Sequence, residues 1–249
     1  MLGIAFLCGY RVARRLLIRR LHLPAGPVDL FISLLILGGF FGSKLFTLLF
    51  EMSVPVDEIP SYLFGFRAAG VTFFGGFIID LLVTLIFIWK YKINFWELTD
   101  ILVLPVAFGL GLTRIGCFLA GCCWGKPADI PWGVVVSNPE AITPLKHISL
   151  HPAQLYHSLA NFLIFFILLI IYIKYKNRPR GFIFTLFLLL YSSGRFITEF
   201  FRGDMARGYV FDILSTSQFI SLIAFILAML KLASMISRRE FSRMKRIPG

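Results

Sequence analysis

Arg195, Glu199 and Arg202 follow one another at steps of four and three residues, a spacing that stacks all three on one face of a helix. Glu199, placed between two guanidinium groups, stays ionised and braces both, while donors on each arginine are left over. A guanidinium offers five N–H donors in a fixed fork, a shape that matches the oxygens of a phosphate. A third arginine, Arg114, sits in Thr113-Arg114-Ile115-Gly116, in a run that also holds Gly109, Gly111 and Gly121. Small residues let membrane helices approach closely, so Arg114 faces other helices rather than lipid. The two sets predict a cationic pocket in the outer half of a membrane, suited to an anionic lipid head group. A structural ion network that clamps helices is the alternative.

Other polar residues mark further candidates. His151-Pro152-Ala153-Gln154-Leu155-Tyr156 opens an apolar run, with Pro152 suited to a first helical turn. His151 there is either a general acid or base near neutral pH or a hydrogen-bonding residue at a helix start. Gly75-Gly76 either lets two helices touch or exposes backbone N–H groups to an anion. Cys117, Cys122 and Cys123 form Cys-x4-Cys-Cys, which is not the paired spacing of zinc sites. They are read as buried inert thiols or, with Arg114 beside them, as a reactive thiolate; no metal and no cofactor is expected. Lys44 either snorkels outward or belongs to the site, and Asp80 lies deep in its run without an evident partner.

These residues need a scaffold, and the composition says which. Of 249 residues, 58% are hydrophobic and 15% charged, too few polar groups to clothe a water-soluble domain. Soluble, disordered and disulfide-stapled secreted classes are excluded. An all-α integral membrane protein remains, read as one polytopic domain over residues 1–249. A hydrocarbon core of about 30 Å takes about 20 apolar helical residues. Spans are expected near 1–20, 28–50, 71–90, 101–122, 153–173, 181–200 and 213–233, with an outer loop at 125–150 ordered by Trp124 and Trp132.

Charge sets the orientation. Basic residues cluster after the first span (Arg11, Arg14, Arg15, Arg19, Arg20), the third (Lys90, Lys92), the fifth (Lys174, Lys176, Arg178, Arg180) and the last (Lys231, Arg238, Arg239, Arg243, Lys245, Arg246). The other loops carry Glu51, Asp57, Glu58, Asp129, Glu140 and Asp204. The positive-inside rule then gives seven crossings, N-terminus outside and C-terminus cytoplasmic. The net charge of +12 follows from topology and acidic lipids rather than from nucleic acid. The first apolar stretch carries its charges behind it, not ahead, so it does not read as a cleaved signal.

Several motifs, in order, match a known family. Leu98-Thr99-Asp100, Pro105, Arg114-Ile115-Gly116-x-Phe118-x-x-Gly121-x-x-Trp124-Gly125, His151-Pro152-x-Gln154-Leu155-Tyr156, Gly194-Arg195-Phe196-Ile197-x-Glu199-Phe200-Phe201-Arg202 and Leu214-Ser215-x-x-Gln218 resemble prolipoprotein diacylglyceryl transferase. The likeness runs from about Asp29 to Gln218. It implies a seven-helix enzyme of the bacterial inner membrane. Such an enzyme moves the diacylglyceryl group of phosphatidylglycerol to the lipobox cysteine of a pre-lipoprotein, releasing glycerol phosphate. It implies that Arg114 and Arg195 handle lipid phosphate, that Glu199, His151, Gln154 and Tyr156 are site or scaffold positions, and that Gly125 serves through its backbone. The family has His where Phe74 stands, Asn at Cys117 and Glu at Cys122, which marks a divergent member. Two further readings stay open: a phospholipid-dependent transferase with another acceptor, using Cys122 or Cys117, and a lipid-binding membrane protein without catalysis.

Overall fold

The computed structural model describes residues 2–50, 59–64, 73–204, 209–210 and 214–244. Glu51, Asp57, Glu58, Lys245 and Arg246, the first two residues of the expected span 71–90 and the side chains of Phe74, Arg238, Arg239 and Arg243 lie outside what is described. Helices dominate: α1 (Leu2–Leu21), α2 (Ala25–Phe50), α3 (Ile59–Phe64), α4 (Phe73–Tyr91), α5 (Phe95–Leu119), α6 (Ala153–Lys174), α7 (Phe182–Glu199) and α8 (Thr216–Met244). Two antiparallel ribbons accompany them, β1 (Val134–Val135) with β2 (Ser149–Leu150) and β3 (Tyr209–Val210) with β4 (Leu214–Ser215). Among the described residues, five helices are long and apolar enough to cross a membrane: Ala25–Leu49, Phe95–Leu119, Ala153–Lys174, Phe182–Glu199 and Thr216–Ser237. The helix α1 bears five arginines along its length.

The chain divides into two compact units, one of residues Tyr10–Leu98 and one of Met1–Gly9 with Thr99–Gly249. In the first, α2 and α4 lie against each other through glycine. A Cβ on Gly42 would stand 2.8 Å from the Gly75 carbonyl oxygen, and one on Gly76 would stand 2.6 Å from Ser43 Oγ. Backbones this close allow no side chain, so both Gly75 and Gly76 serve helix contact here. Phe31 stacks on Phe87 at 4.0 Å across the same pair. Lys44 does not snorkel. It is 1% exposed, donates to the Leu63 carbonyl at 3.4 Å and lies over the Phe40 ring. Asp80 Oδ1 is buried without a hydrogen-bond partner among the described residues.

The second unit carries the candidate site. The helix α5 starts earlier than hydropathy suggests because Asn94 Oδ1 accepts from the backbone N–H groups of Trp96 and Glu97, an N-cap that admits a polar first turn. It ends at Leu119, and the next turn holds Gly121 at φ +65°. Ser158 of α6 donates to the Gly111 carbonyl of α5 at 2.9 Å. Asp100 of α5 is buried and accepts from the backbone N–H groups of Gly181 and Phe184, both at 2.8 Å. It therefore caps α7 from another helix and meets the positive end of that helix with a carboxylate. Asp100→Ala should cost about 2–3 kcal/mol, the loss of a cap plus two donors left without an acceptor. Thermal melting in detergent reads this, with Asp100→Asn losing less because one oxygen is retained.

Candidate functional site

Arg195, in the last turns of α7, is 8% exposed. Its Nη1 meets Glu199 Oε2 and lies 3.1 Å from His157 Nε2, while Nη2 donates to Ser217 Oγ at 2.9 Å. Arginine only donates, so His157 Nε2 is the acceptor and the ring proton sits on Nδ1. That nitrogen is 3.0 Å from Thr198 Oγ1, whose own proton goes to the Gly194 carbonyl at 2.7 Å. A neutral histidine of fixed tautomer thus holds the guanidinium in place.

The start of α8 supplies the other side. Ser215 and Gln218 form a capping box: Gln218 Oε1 accepts from the Ser215 backbone N–H, and Ser215 Oγ accepts from the Gln218 backbone N–H, each at 3.1 Å. This is the physical content of the Leu214-Ser215-x-x-Gln218 motif. The capped turn aims the Ser215 hydroxyl at Glu199 Oε1, 3.2 Å away, and puts Ser217 on Arg195.

Glu199 lies between Arg195 and Arg202, as the spacing predicts, with Arg202 Nη1 3.8 Å from Oε2. Arg202 is chiefly held elsewhere, its Nε donating to Asp204 Oδ1 at 2.7 Å. Burial works against its charge, but the bonds to Asp204, with Glu199 behind them, keep it protonated more firmly than usual. Its Nη1 makes no hydrogen bond among the described residues. Arg114, half-buried on α5, has no hydrogen-bond or ion-pair partner among the described residues. It is nonetheless close enough for His157 and Arg195 to feel its charge. Arg202 and Arg114 both lie within electrostatic reach of Arg195.

The remaining predicted residues gather beside this network. Trp132 Nε1 donates to Tyr156 OH at 2.7 Å, which leaves the tyrosine proton to reach His151 Nδ1 at 3.2 Å. The His151, Tyr156 and Phe201 rings meet edge to face. His151 does not contact Arg195; that place belongs to His157. His151 and Gln154 instead line a cavity of about 250 Å³ with Phe118, Trp124, Val134 and Leu150. Gly125 faces the His151 backbone so closely that a Cβ would strike its carbonyl. Lys126 N–H donates to Phe201 O and Gly203 N–H to Trp124 O, both at 3.0 Å. Arg202 is thereby tied to the turn after α5. Gln154 Nε2 donates to the Cys122 carbonyl at 2.7 Å and secures the same turn.

Cys117, Cys122 and Cys123 are free thiols of intermediate exposure. Their Sγ atoms all lie within 4.8 Å of one another, a convergence that Cys-x4-Cys-Cys spacing does not announce. Hydrogen bonds from Cys117 and Cys122, then the charges of Arg202 and Arg114, hold the Cys123 thiol well below the ordinary range.

A family described as prolipoprotein diacylglyceryl transferase matches residues 1–234 of this sequence. The chain belongs to that family. A phosphatidylglycerol–prolipoprotein diacylglyceryl transferase of Clostridium tetani is 38% identical over 192 residues, covering 77% of this chain and 74% of that protein. One of Haemophilus influenzae is 34% identical over 222 residues, with 87% and 80% covered. One of Proteus mirabilis is 31% identical over 251 residues, with 92% and 85% covered. Within the family fold, sequence reasoning missed His157, Thr198, Asp204 and Ser217. The signal for His157 was present: Gln154, His157, Ser158 and Asn161 make a polar stripe at helical spacing in an otherwise apolar segment, and all four are buried.

Proposed function

We propose that this chain transfers the diacylglyceryl group of phosphatidylglycerol to the cysteine thiol of a prolipoprotein. It does so as a multi-pass protein of the bacterial inner membrane. The reading takes the chain as one polytopic domain that crosses seven times, with its N-terminus outside and its C-terminus cytoplasmic. The names and coverage of the relatives support the activity. The observation that carries it to residues is Arg114, which has no hydrogen-bond or ion-pair partner among the described residues yet lies within electrostatic reach of the buried, braced Arg195.

The chemistry follows from charge. Breaking the bond between the glycerol carbon and the phosphate oxygen puts a second negative charge on the departing glycerol phosphate. Guanidinium groups fixed in advance stabilise that charge more than they stabilise the monoanionic ester. In this reading Arg114 and Arg195 take the phosphate, with Arg202 adding field behind Glu199. His157 and Ser217 keep Arg195 from turning away. Gln154 and Gly125 fix the turn after α5, and Tyr156 hydrogen-bonds to His151, which lines the neighbouring cavity. Gly75 and Gly76 contribute by packing.

Purified protein in detergent micelles containing phosphatidylglycerol, given a peptide with a lipobox cysteine, is expected to yield thioether-lipidated peptide and free glycerol phosphate. Mass spectrometry of the peptide reads the product. A serine peptide should stay unmodified. Intact phosphatidylglycerol and unmodified cysteine peptide after prolonged incubation would overturn the reading.

A further inference from the structure

Outside the arginine network, one group of side chains has chemistry of its own. Cys117 lies in the last turn of α5, and Cys122 and Cys123 follow its end. The chain folds back there through two left-handed residues, Gly121 at φ +65° and Cys123 at φ +56°. Glycine accepts this backbone freely. A cysteine does not, and such a residue persists only where its surroundings over-determine it. The bend brings both later sulfurs back to Cys117, so that all three Sγ atoms fall within 4.8 Å of one another. Gln154 locks the bend through the Cys122 carbonyl.

A zinc–sulfur bond of about 2.3 Å places the sulfurs of one tetrahedron about 3.8 Å apart. The cluster meets that spacing with small side-chain adjustments. Every donor in it is a thiol; soft sulfur selects zinc or copper and rejects calcium and magnesium, which need oxygen. Three thiolates around a divalent ion leave one negative charge. Arg202 and Arg114, both within electrostatic reach of Cys123, offset it.

We propose that Cys117, Cys122 and Cys123 hold one thiophilic metal ion of the zinc class, with its fourth coordination position open to the acceptor thiol. The metal site stands on the sulfur geometry alone; the role of the open position rests on the transferase reading above. A thiol that coordinates such an ion is deprotonated outright. Its proton goes to solvent. The sulfur lone pair then forms the carbon–sulfur bond as the carbon–oxygen bond breaks, and the bonding electrons leave on the phosphate oxygen. The metal keeps its oxidation state throughout.

The test uses the full chain purified in detergent. Elemental analysis after growth with added Zn2+ is expected to find about one zinc per chain. Cys117→Ser, Cys122→Ser and Cys123→Ser should each lower that content at least tenfold, whereas Cys8→Ser should not. Chelation of the unsubstituted protein should expose three additional reactive thiols, a readout that needs no variant to fold. Co2+ in place of zinc should give thiolate charge-transfer absorption, and its visible bands should shift with a cysteine peptide but not with the serine peptide. Zinc content equal to that of the triple serine variant would overturn the site, as would thiols equally reactive before and after chelation. Copper(I) as the sole occupant would overturn the open position, since three sulfurs complete its shell. Cobalt bands indifferent to the cysteine peptide would overturn it too. A chain that binds cobalt and responds to the thiol, yet moves no lipid, removes the transferase reading and leaves the metal site standing.

Discussion

With Arg114 replaced by alanine, lipid transfer is expected to fall by about a hundredfold to a thousandfold while the melting temperature stays where it was. Removing one donor aimed at a developing oxyanion costs about that much in rate. The stability side rests on geometry. Arg114 has no hydrogen-bond or ion-pair partner among the described residues, so its removal strands no carboxylate and opens no network. Its loss also relieves the mutual repulsion of three like charges. Arg114→Lys keeps a charge but not the fork, and should recover only part of the rate. The two measurements are transfer to the cysteine peptide at saturating phosphatidylglycerol and thermal melting in the same detergent. Transfer within a few-fold of the unsubstituted chain would show that Arg114 does not meet the phosphate. A large fall in melting temperature would show that it clamps helices instead.

How far the sequence predicts this arrangement depends on the range of the interaction. Arg195 and Glu199 were legible because a helix fixes residues four apart on one face. The apolar runs placed α2, α6 and α7 to within a few residues. The start of α5 was not legible from hydropathy, since Asn94 draws a polar turn into the helix. Asp100 gave no sign of its task because the helix that it caps begins far along the chain. His157 was overlooked in favour of His151, which stands at the more polar end of the same segment; the buried stripe of Gln154, Ser158 and Asn161 beside it was the better guide. The hold of Asp204 on Arg202 depends on a turn beyond α7, where helical spacing no longer applies. The three cysteines converge through a left-handed backbone at Cys123, a conformation that a cysteine in a sequence does not signal.

Arg195→Ala should remove activity and stability together, and a second substitution should separate them. Arg195 and Glu199 are both almost fully buried. Taking away the guanidinium leaves the carboxylate with Ser215 Oγ at 3.2 Å and Arg202 Nη1 at 3.8 Å. Breaking a buried pair from one side costs about 3–5 kcal/mol, most of it the stranded charge. Arg195→Ala alone should therefore melt far below the unsubstituted chain and transfer no measurable lipid. Replacing both partners removes the stranded charge, because a pair deleted whole is often close to neutral. The Arg195→Ala, Glu199→Ala chain should thus regain most of the lost melting temperature. Its transfer should remain at least a hundredfold down, since one of the two guanidinium groups that take the departing phosphate is then gone. Stability regained without activity is the outcome that assigns Arg195 to the chemistry. Activity returning with stability would make the whole network a brace, and the phosphate would have to be met elsewhere.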